Sequence, residues 1–220
     1  MGETGILKVK GKINQNDMDV FVTNGKATLT NLDLSKAIGS DIVVGRSGFA
    51  DGNLEVLRLG SAITSTGITA FYNNANLTEV DLSKCTNLTT IDYGSFMSCD
   101  ITNLTLPENA QLTTIGESAF MENRNLQTIS YPATITHIGS YMLANCKSLT
   151  TIVFKGTVPP TITSANTGNF IDCFGNKPDY LNNITIYLPN VSAETDAWKT
   201  FLGESNGWTI KYGESPAVNP

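Results

Sequence analysis

The sequence predicts an α/β solenoid, in which short tandem repeats pack their apolar faces only against neighbouring repeats. The segment from Leu112 to Ile152 contains one pattern twice, with matching positions 23 residues apart. The matching pairs are Ile115 and Ile138, Phe120 and Leu143, Asn123 and Cys146, Leu126 and Leu149, and Ile129 and Ile152. Two further segments, Leu29–Ala37 and Leu77–Cys85, match position by position. A fixed period of this length is typical of a solenoid, so the repeats define the architecture.

Residues 1–28 are expected to form an N-terminal cap, because a solenoid closes its exposed end with an atypical and more polar unit. Leu7–Ile13 alternates apolar and basic residues, which predicts a half-buried strand. Asn14 or Asn16 can then cap a short helix that ends near Thr23. The candidate apolar contacts of this helix are Met18, Val20 and Phe21.

Residues 29–160 are expected to form the repeats, each with one strand of a parallel sheet on the concave side and a short helical or irregular segment outside. An aromatic or aliphatic anchor precedes each strand, and successive anchors are 22, 25, 24 and 23 residues apart. These anchors are Phe49, Phe71, Phe96, Phe120 and Leu143. The later strands centre on Leu104 and Leu106, Ile129 and Tyr131, and Ile152 and Phe154, with a predicted last copy at Ile184 and Ile186.

Three residues after the anchors, the chain carries a glycine and then alternates asparagine with cysteine, at Gly52, Asn74, Cys99, Asn123 and Cys146. This alternation is typical of leucine-rich repeats. A short polar side chain here can bond the backbone groups of a tight turn that have no partner in a strand ladder. Strand spacing would hold Cys99 and Cys146 about 10 Å apart, beyond the Cα separation of about 7 Å that a disulfide tolerates. The pattern therefore predicts free, buried thiols.

Residues 161–212 are expected to form an irregular last repeat and a C-terminal cap, followed by a tail at residues 213–220, all in one structural domain. A stretch rich in serine, asparagine and glycine interrupts the repeat pattern at its start. Ser192 is the candidate cap of a helix over Ala193–Leu202. The apolar residues of Trp208–Ile210 predict a last strand.

These repeats resemble the bacterial BspA-like leucine-rich repeat family, over about Leu29 to Tyr212. The family's unit is matched by Ala119-Phe120, Asn123, Leu126, Ile129, Tyr131-Pro132 and Ile138-Gly139, and its C-terminal cap by Ile186–Pro189, Ala197–Lys199 and Gly207-Trp208. The resemblance implies an extracellular or cell-surface protein of host-associated bacteria or protists, whose signal sequence has been removed and which serves adhesion or partner binding. Members of the family differ in ligand, so the resemblance assigns no binding residue.

Composition and motifs argue against several other functions. The net charge of −6 and the sequence pI near 4.7 disfavour nucleic acid and anionic membrane surfaces as partners. No apolar run reaches the roughly 20 residues of a membrane helix, so no membrane insertion is expected. Because His137 is the single histidine and the cysteines stand far apart in sequence, neither catalysis nor a metal or cofactor site is expected. We expect a monomer.

The residues that flank the first core position of each strand are expected to line the concave face. One column reads Asn31, Val56, Glu79, Asn103, Thr128, Thr151 and Asn183, and the other reads Asp33, Arg58, Asp81, Thr105, Ser130, Val153 and Thr185. Asp33, Arg58 and Asp81 should form a ladder of charges about 4.8 Å apart, with Glu79 beside it. This ladder is one candidate binding surface, and a merely solubilising role is the alternative interpretation.

A second candidate surface is the set of aromatic residues in the insertion, namely Phe170, Phe174 and Tyr180. The alternative interpretation is that these rings seal the C-terminal end of the core. The two concave columns carry no aromatic residue, whereas sugar binding favours an aromatic platform. The sequence therefore favours a non-enzymatic scaffold that binds a host or bacterial surface protein, with a glycan-binding accessory protein of a host-associated bacterium as the alternative.

Overall fold

The structure is a computed structural model, and it describes residues 5–108, 111–163, 167–175, 181, 183–203 and 207–217. Within these ranges it confirms the predicted α/β leucine-rich repeat solenoid of parallel strands. The strands are short, and the two α-helices of the described residues lie near the ends of the chain. The boundaries proposed between caps, repeats and tail remain predictions.

The strands form three parallel sheets. The first sheet contains, in spatial order, β1 (Ile6–Lys12), β2 (Asn31–Ile38), β4 (Val56–Arg58), β6 (Glu79–Asp81) and β8 (Asn103–Thr105). The second sheet contains β10 (Thr128–Tyr131), β12 (Thr151–Phe154), β14 (Thr185–Leu188) and β15 (Thr209–Tyr212). The third sheet contains β3 (Ile42–Val43), β5 (Ile63–Ser65), β7 (Thr90–Ile91), β9 (Thr114–Ile115), β11 (His137–Gly139) and β13 (Thr161–Thr163).

The first and second sheets are separated between β8 and β10, although the third sheet continues through β7, β9 and β11. At this place the second buried position of the strand changes from Leu106 to Tyr131, whose side chain is fully buried. Tyr131 stacks on Phe154, with ring centroids 4.7 Å apart. A buried aromatic ring needs more room than a leucine side chain. We attribute the interrupted pairing to this change in size.

The sequence pattern does not predict the third sheet. Its strands have only two or three residues, too few to show an alternation of apolar and polar side chains. Each strand buries one isoleucine, at positions Ile42, Ile63, Ile91, Ile115, Ile138 and Ile162. In β11, the buried Ile138 is followed by Gly139. A Cβ on Gly139 would lie 2.2 Å from the backbone nitrogen of Glu117. The glycine is therefore required by the close approach of the preceding repeat.

The anchors lie in a turn whose backbone N–H groups donate along the solenoid. In one repeat, the N–H groups of Ser118, Phe120 and Glu122 donate to carbonyls of the next repeat at 3.0, 3.0 and 2.8 Å. Ser118 and Glu122 hold left-handed φ angles of 56° and 65°, a strained conformation for residues other than glycine. The turns repeat in register and stack the anchor rings at centroid distances of 5.8, 5.1 and 5.6 Å, in the order Phe49, Phe71, Phe96 and Phe120.

Asn123 has the role predicted for the position three residues after the anchor. Its side-chain oxygen accepts a hydrogen bond from the N–H of Ile101 at 3.2 Å. Its amide nitrogen donates to the carbonyls of Phe96 and Phe120, both at 2.8 Å. Asn74 makes the three equivalent bonds in its own repeat. These side chains thus satisfy buried backbone groups that no strand ladder reaches.

The four cysteines are free and buried, as the repeat pattern predicts. The thiols of Cys99 and Cys146 each donate to an anchor carbonyl of a preceding repeat, at 3.3 and 3.2 Å. Burial raises the pKa of both thiols from 9.0 to about 12. Burial also raises the pKa of Cys85 and Cys173. All four thiols are therefore protonated and poor nucleophiles at neutral pH.

We expect no reaction between the folded chain and the thiol reagent DTNB at pH 8, and four reactive thiols after unfolding in urea. A raised folded-state pKa means that the unfolded thiols ionise first. The free energy of unfolding should therefore keep its full thiol contribution below pH 9.0 and lose it as the pH rises from 9.0 towards 12. Labelling of the folded chain faster than global unfolding would contradict this account.

The helix near the N-terminus, α1, spans Gln15–Gly25. Asn14 caps it and forms a capping box with Asp17, which resolves the choice between the two candidate caps. Met18 is fully buried, whereas Val20 is 54% exposed. The predicted core contact of Val20 is therefore wrong, because that position lies on the solvent side of the helix.

The helix near the C-terminus, α2, spans Asp196–Leu202, so it begins three residues later than predicted. Thr195, not Ser192, is its cap, because the Thr195 hydroxyl accepts a hydrogen bond from the N–H of Trp198 at 3.3 Å. The indole of Trp198 is buried and donates to the carbonyl of Thr157 at 3.0 Å. The helix thus closes the core over the last repeats.

The last repeat has a different register from the predicted one. Ile152 pairs with Ile186, so the strand centres on Ile186 and Leu188 rather than on Ile184 and Ile186. The three candidates Ile184, Ile186 and Leu188 are all buried, and an apolar residue at every second position cannot distinguish the two registers. In the observed register, Tyr187 takes the position beside Val153 that the sequence analysis gives to Thr185.

Candidate binding face

The solvent-facing side of the first and second sheets is termed the front face. The pairing of strands places its side chains in two columns. One column contains Ile6, Asn31, Val56, Glu79 and Asn103 in the first sheet, and Thr128, Thr151, Thr185 and Thr209 in the second. The other contains Lys8, Asp33, Arg58, Asp81 and Thr105, and then Ser130, Val153, Tyr187 and Lys211.

The first-sheet half of the front face carries most of the charged residues of the two columns. Asp33, Arg58 and Asp81 lie in one register, as the sequence predicts, and Lys8 extends the ladder at its N-terminal end. The guanidinium of Arg58 forms its ion pair diagonally, with Glu79 at 2.5 Å, rather than with either aspartate. The side chains of Arg58 and Glu79 are 34% and 37% exposed. The pair is thus open to a partner from the solvent side.

Two Asp-x-Ser segments hold the carboxylates of this ladder. Asp33 accepts hydrogen bonds from the N–H and the hydroxyl of Ser35, at 3.0 and 2.6 Å. Asp81 accepts one from the N–H of Ser83 at 2.8 Å. Burial raises the pKa of the Asp33 carboxyl, but the Ser35 hydrogen bonds and the charges of Arg58 and Lys8 together lower it below its usual value. Asp33 therefore stays ionised at neutral pH.

The second-sheet half of the front face is hydroxyl-rich and contains an aromatic residue. Tyr187, half-buried, lies between Val153 and Lys211 in the register of the column. The ammonium group of Lys211 lies 3.5 Å from a carboxylate oxygen of Glu214. The sequence-based expectation that the columns lack aromatic side chains is therefore wrong. The sequence predicts Asn183 beside Thr151 and Thr185 beside Val153. The structure places Thr185 beside Thr151 and Tyr187 beside Val153.

The two described aromatic residues of the insertion do not form a surface. Phe170 and Phe174 are 0% and 2% exposed. The N–H of Leu143 donates to the carbonyl of Cys173 at 2.8 Å, as other anchor N–H groups do to the next repeat. This bond identifies Phe174 as the anchor of the last repeat. Phe170 and Phe174 are therefore core residues, and Tyr180 lies outside the described residues.

His137 is exposed on the third sheet, and its Nδ1 lies 2.8 Å from the hydroxyl of Thr136. Among the described residues, no three metal-ligating side chains come together. In the same part of the chain, neither helix has the length and hydropathy needed to cross a membrane.

Comparison with known proteins shows a match to a repeat family and similarity to two solved structures. Residues 42–186 match the description BspA type leucine rich repeat region, in six copies. The chain is also similar to the pneumococcal vaccine antigen PcpA, with 12% identity, a TM-score of 0.28, and coverage of 85% of this chain and 74% of that one. A leucine-rich repeat protein from Bacteroides ovatus aligns with 14% identity and a TM-score of 0.25, over 68% of this chain and 56% of that one. The chain thus spans just over half of the Bacteroides protein. No curated protein matches it.

Proposed function

Because the chain belongs to the BspA-type leucine-rich repeat family over residues 42–186, we propose that it is a non-enzymatic scaffold that binds a protein partner through the first-sheet half of its front face. The partner is a host or bacterial surface protein, and the chain acts outside the bacterial cell in adhesion. The scaffold supplies a rigid surface, because each strand is paired on both sides in the middle of the sheet.

The observation that supports this proposal most is the placement of Arg58. It is half-exposed at the centre of the first sheet, between Asp33 and Asp81 in register and paired with Glu79. Arginine is enriched among the residues that dominate protein interfaces, especially where neighbouring groups already fix its geometry. The Ser35 bonds to Asp33 orient its carboxylate before binding. A partner with both acidic and basic side chains would complement this alternating ladder.

A glycan ligand is the second candidate, and one observation favours it. Tyr187 lies on the front face, where sequence alone places no aromatic residue. An aromatic ring can pack against the apolar face of a sugar ring. The two candidates use different halves of the same face.

A direct test exposes the chain in parallel to an array of extracellular-matrix and bacterial surface proteins and to a glycan array. We expect saturable binding to at least one protein, with weakening as the salt concentration rises because charged groups are in contact. Saturable binding to polysaccharides alone would overturn the proposed protein-binding role.

A further inference from the structure

We propose that the second-sheet half of the front face is a separate site for an uncharged polysaccharide, whose chain lies along the solenoid axis with one sugar ring on Tyr187. The site is built from the threonine column of β10, β12, β14 and β15 and from the adjacent position of Tyr187. It does not depend on the protein partner proposed above, because it shares no residue with the Arg58 ladder.

The first support is a column of four hydroxyl groups that the fold does not use. Thr128, Thr151, Thr185 and Thr209 pair in register across four strands. Within the described part of the chain, none of these four hydroxyls makes a hydrogen bond. In contrast, the hydroxyl of Thr150 donates to the carbonyl of Gln127 in the preceding repeat, at 3.4 Å. The front-face threonines therefore keep both a donor and an acceptor for a ligand.

The second support is the setting of Tyr187. It is half-buried beside Val153, which is only 5% exposed although it lies in an outward column. A ring supported by an apolar neighbour loses little conformational freedom when a ligand packs on it. The body of a tyrosine suits the C–H face of a sugar, and its hydroxyl suits the sugar's own hydroxyl groups.

The third support is the absence of a net charge that would select an anion or a cation. Across the described front-face positions of β10, β12, β14 and β15, Lys211 is the one charged side chain, and it faces Glu214 at 3.5 Å. Sugar hydroxyl groups donate and accept, and so do threonine hydroxyls. This composition favours a neutral polysaccharide over an acidic one.

The fourth support is the regular spacing of the site. Neighbouring strands lie about 4.8 Å apart, so four strands span about 14 Å along the axis. A sugar unit in an extended chain has a length comparable to this strand spacing. Successive sugars can therefore meet successive threonines, and we expect a site for about three or four sugar units.

The test uses the full chain in gels that contain laminarin, xyloglucan or mannan as neutral probes, with polygalacturonate as the charged comparison. We expect at least one neutral polysaccharide to retard the chain. The variant Tyr187→Ala should bind it at least tenfold more weakly, and Thr185→Val, which keeps the side-chain shape, should bind it a few-fold more weakly. Tyr141→Ala is the matched control, because Tyr141 is 39% exposed in an outer turn and should leave binding unchanged.

Three results would overturn the site: retardation by none of the neutral probes, retardation by polygalacturonate alone, or equal binding by Tyr187→Ala and the original chain. Thr185→Val keeps the test decisive if Tyr187→Ala fails to fold. The variant Arg58→Ala should leave polysaccharide binding intact. If Arg58→Ala loses protein binding and Tyr187→Ala keeps it, the protein site and the polysaccharide site are distinct.

Discussion

Replacement of Asn123 by leucine is expected to lower the free energy of unfolding by about 2–6 kcal/mol. The replacement leaves two buried backbone groups without a hydrogen-bond partner, and each such group costs about 1–3 kcal/mol. These groups are the N–H of Ile101 and the carbonyl of Phe96, which Asn123 bonds at 3.2 and 2.8 Å. The carbonyl of Phe120 keeps a donor in the thiol of Cys146. Urea unfolding followed by circular dichroism measures the loss.

The matched control is Asn123→Cys, which installs the residue type of the alternating repeats. A thiol there can donate to one anchor carbonyl, as Cys99 does to Phe71 at 3.3 Å. We expect Asn123→Cys to be less stable than the original chain but more stable than the leucine variant. If the leucine variant were as stable as the original chain, the asparagine would not be satisfying these backbone groups.

Replacement of Phe96 by alanine is expected to cost about 3–5 kcal/mol, the usual range for emptying a buried phenylalanine site. Phe96 is fully buried in the middle of the anchor stack. Its ring centroid lies 5.1 Å from that of Phe71 and 5.6 Å from that of Phe120. Because each repeat contacts only its neighbours, the cavity weakens two interfaces at once.

Phe96→Leu provides the comparison, because Leu143 occupies the same column in a later repeat. Fewer buried atoms are lost, so we expect a cost of about 1–2 kcal/mol. Equilibrium unfolding in urea, with the chain at one fixed concentration, gives both values. Equal costs for the alanine and leucine variants would show that the stacked rings contribute little beyond filling space near Cβ.

The main features of the repeats are predictable because several independent signals coincide at the same positions. The anchor Phe120, the polar Asn123 and the core Ile129 each recur at one period, and each has a distinct physical role. The structure confirms the roles of Phe120 in the ring stack and of Asn123 in the turn. A pattern of this kind predicts lateral stacking, since a shift of one residue in the alignment of neighbouring repeats would break all the columns together.

The third sheet and the last repeat are harder to predict, for two physical reasons. A strand such as Thr114–Ile115 is defined by pairing with other repeats, not by any alternation within two residues. In the last repeat, alternating apolar residues at Ile184, Ile186 and Leu188 permit two registers. Pairing of Ile152 with Ile186 selects one of them. The aromatic residue of the front face could be found only after this choice.

The candidate binding face likewise has features that the sequence predicts and features that it does not. Asp33, Arg58 and Asp81 can be placed together from sequence, because a charge ladder follows from the repeat register alone. The diagonal pairing of Arg58 with Glu79 depends on side-chain reach and cannot be read from spacing. For Phe174 the sequence leaves open a surface position or a place at the end of the core, because its spacing of 31 residues from Leu143 hides its place in the anchor column.

The most direct test of the proposed function compares two arginines that each form an ion pair on different sides of the solenoid. Arg58 pairs with Glu79 on the front face, and Arg124 pairs with Glu122 at 2.9 Å beside an anchor turn. Surface plasmon resonance against the protein identified by the array would give Kd for the original chain and for each alanine variant. We expect Arg58→Ala to raise Kd at least about tenfold, equivalent to about 1.4 kcal/mol, and Arg124→Ala to leave it unchanged. An unchanged Kd for Arg58→Ala, or a larger loss for Arg124→Ala, would contradict binding through the front face.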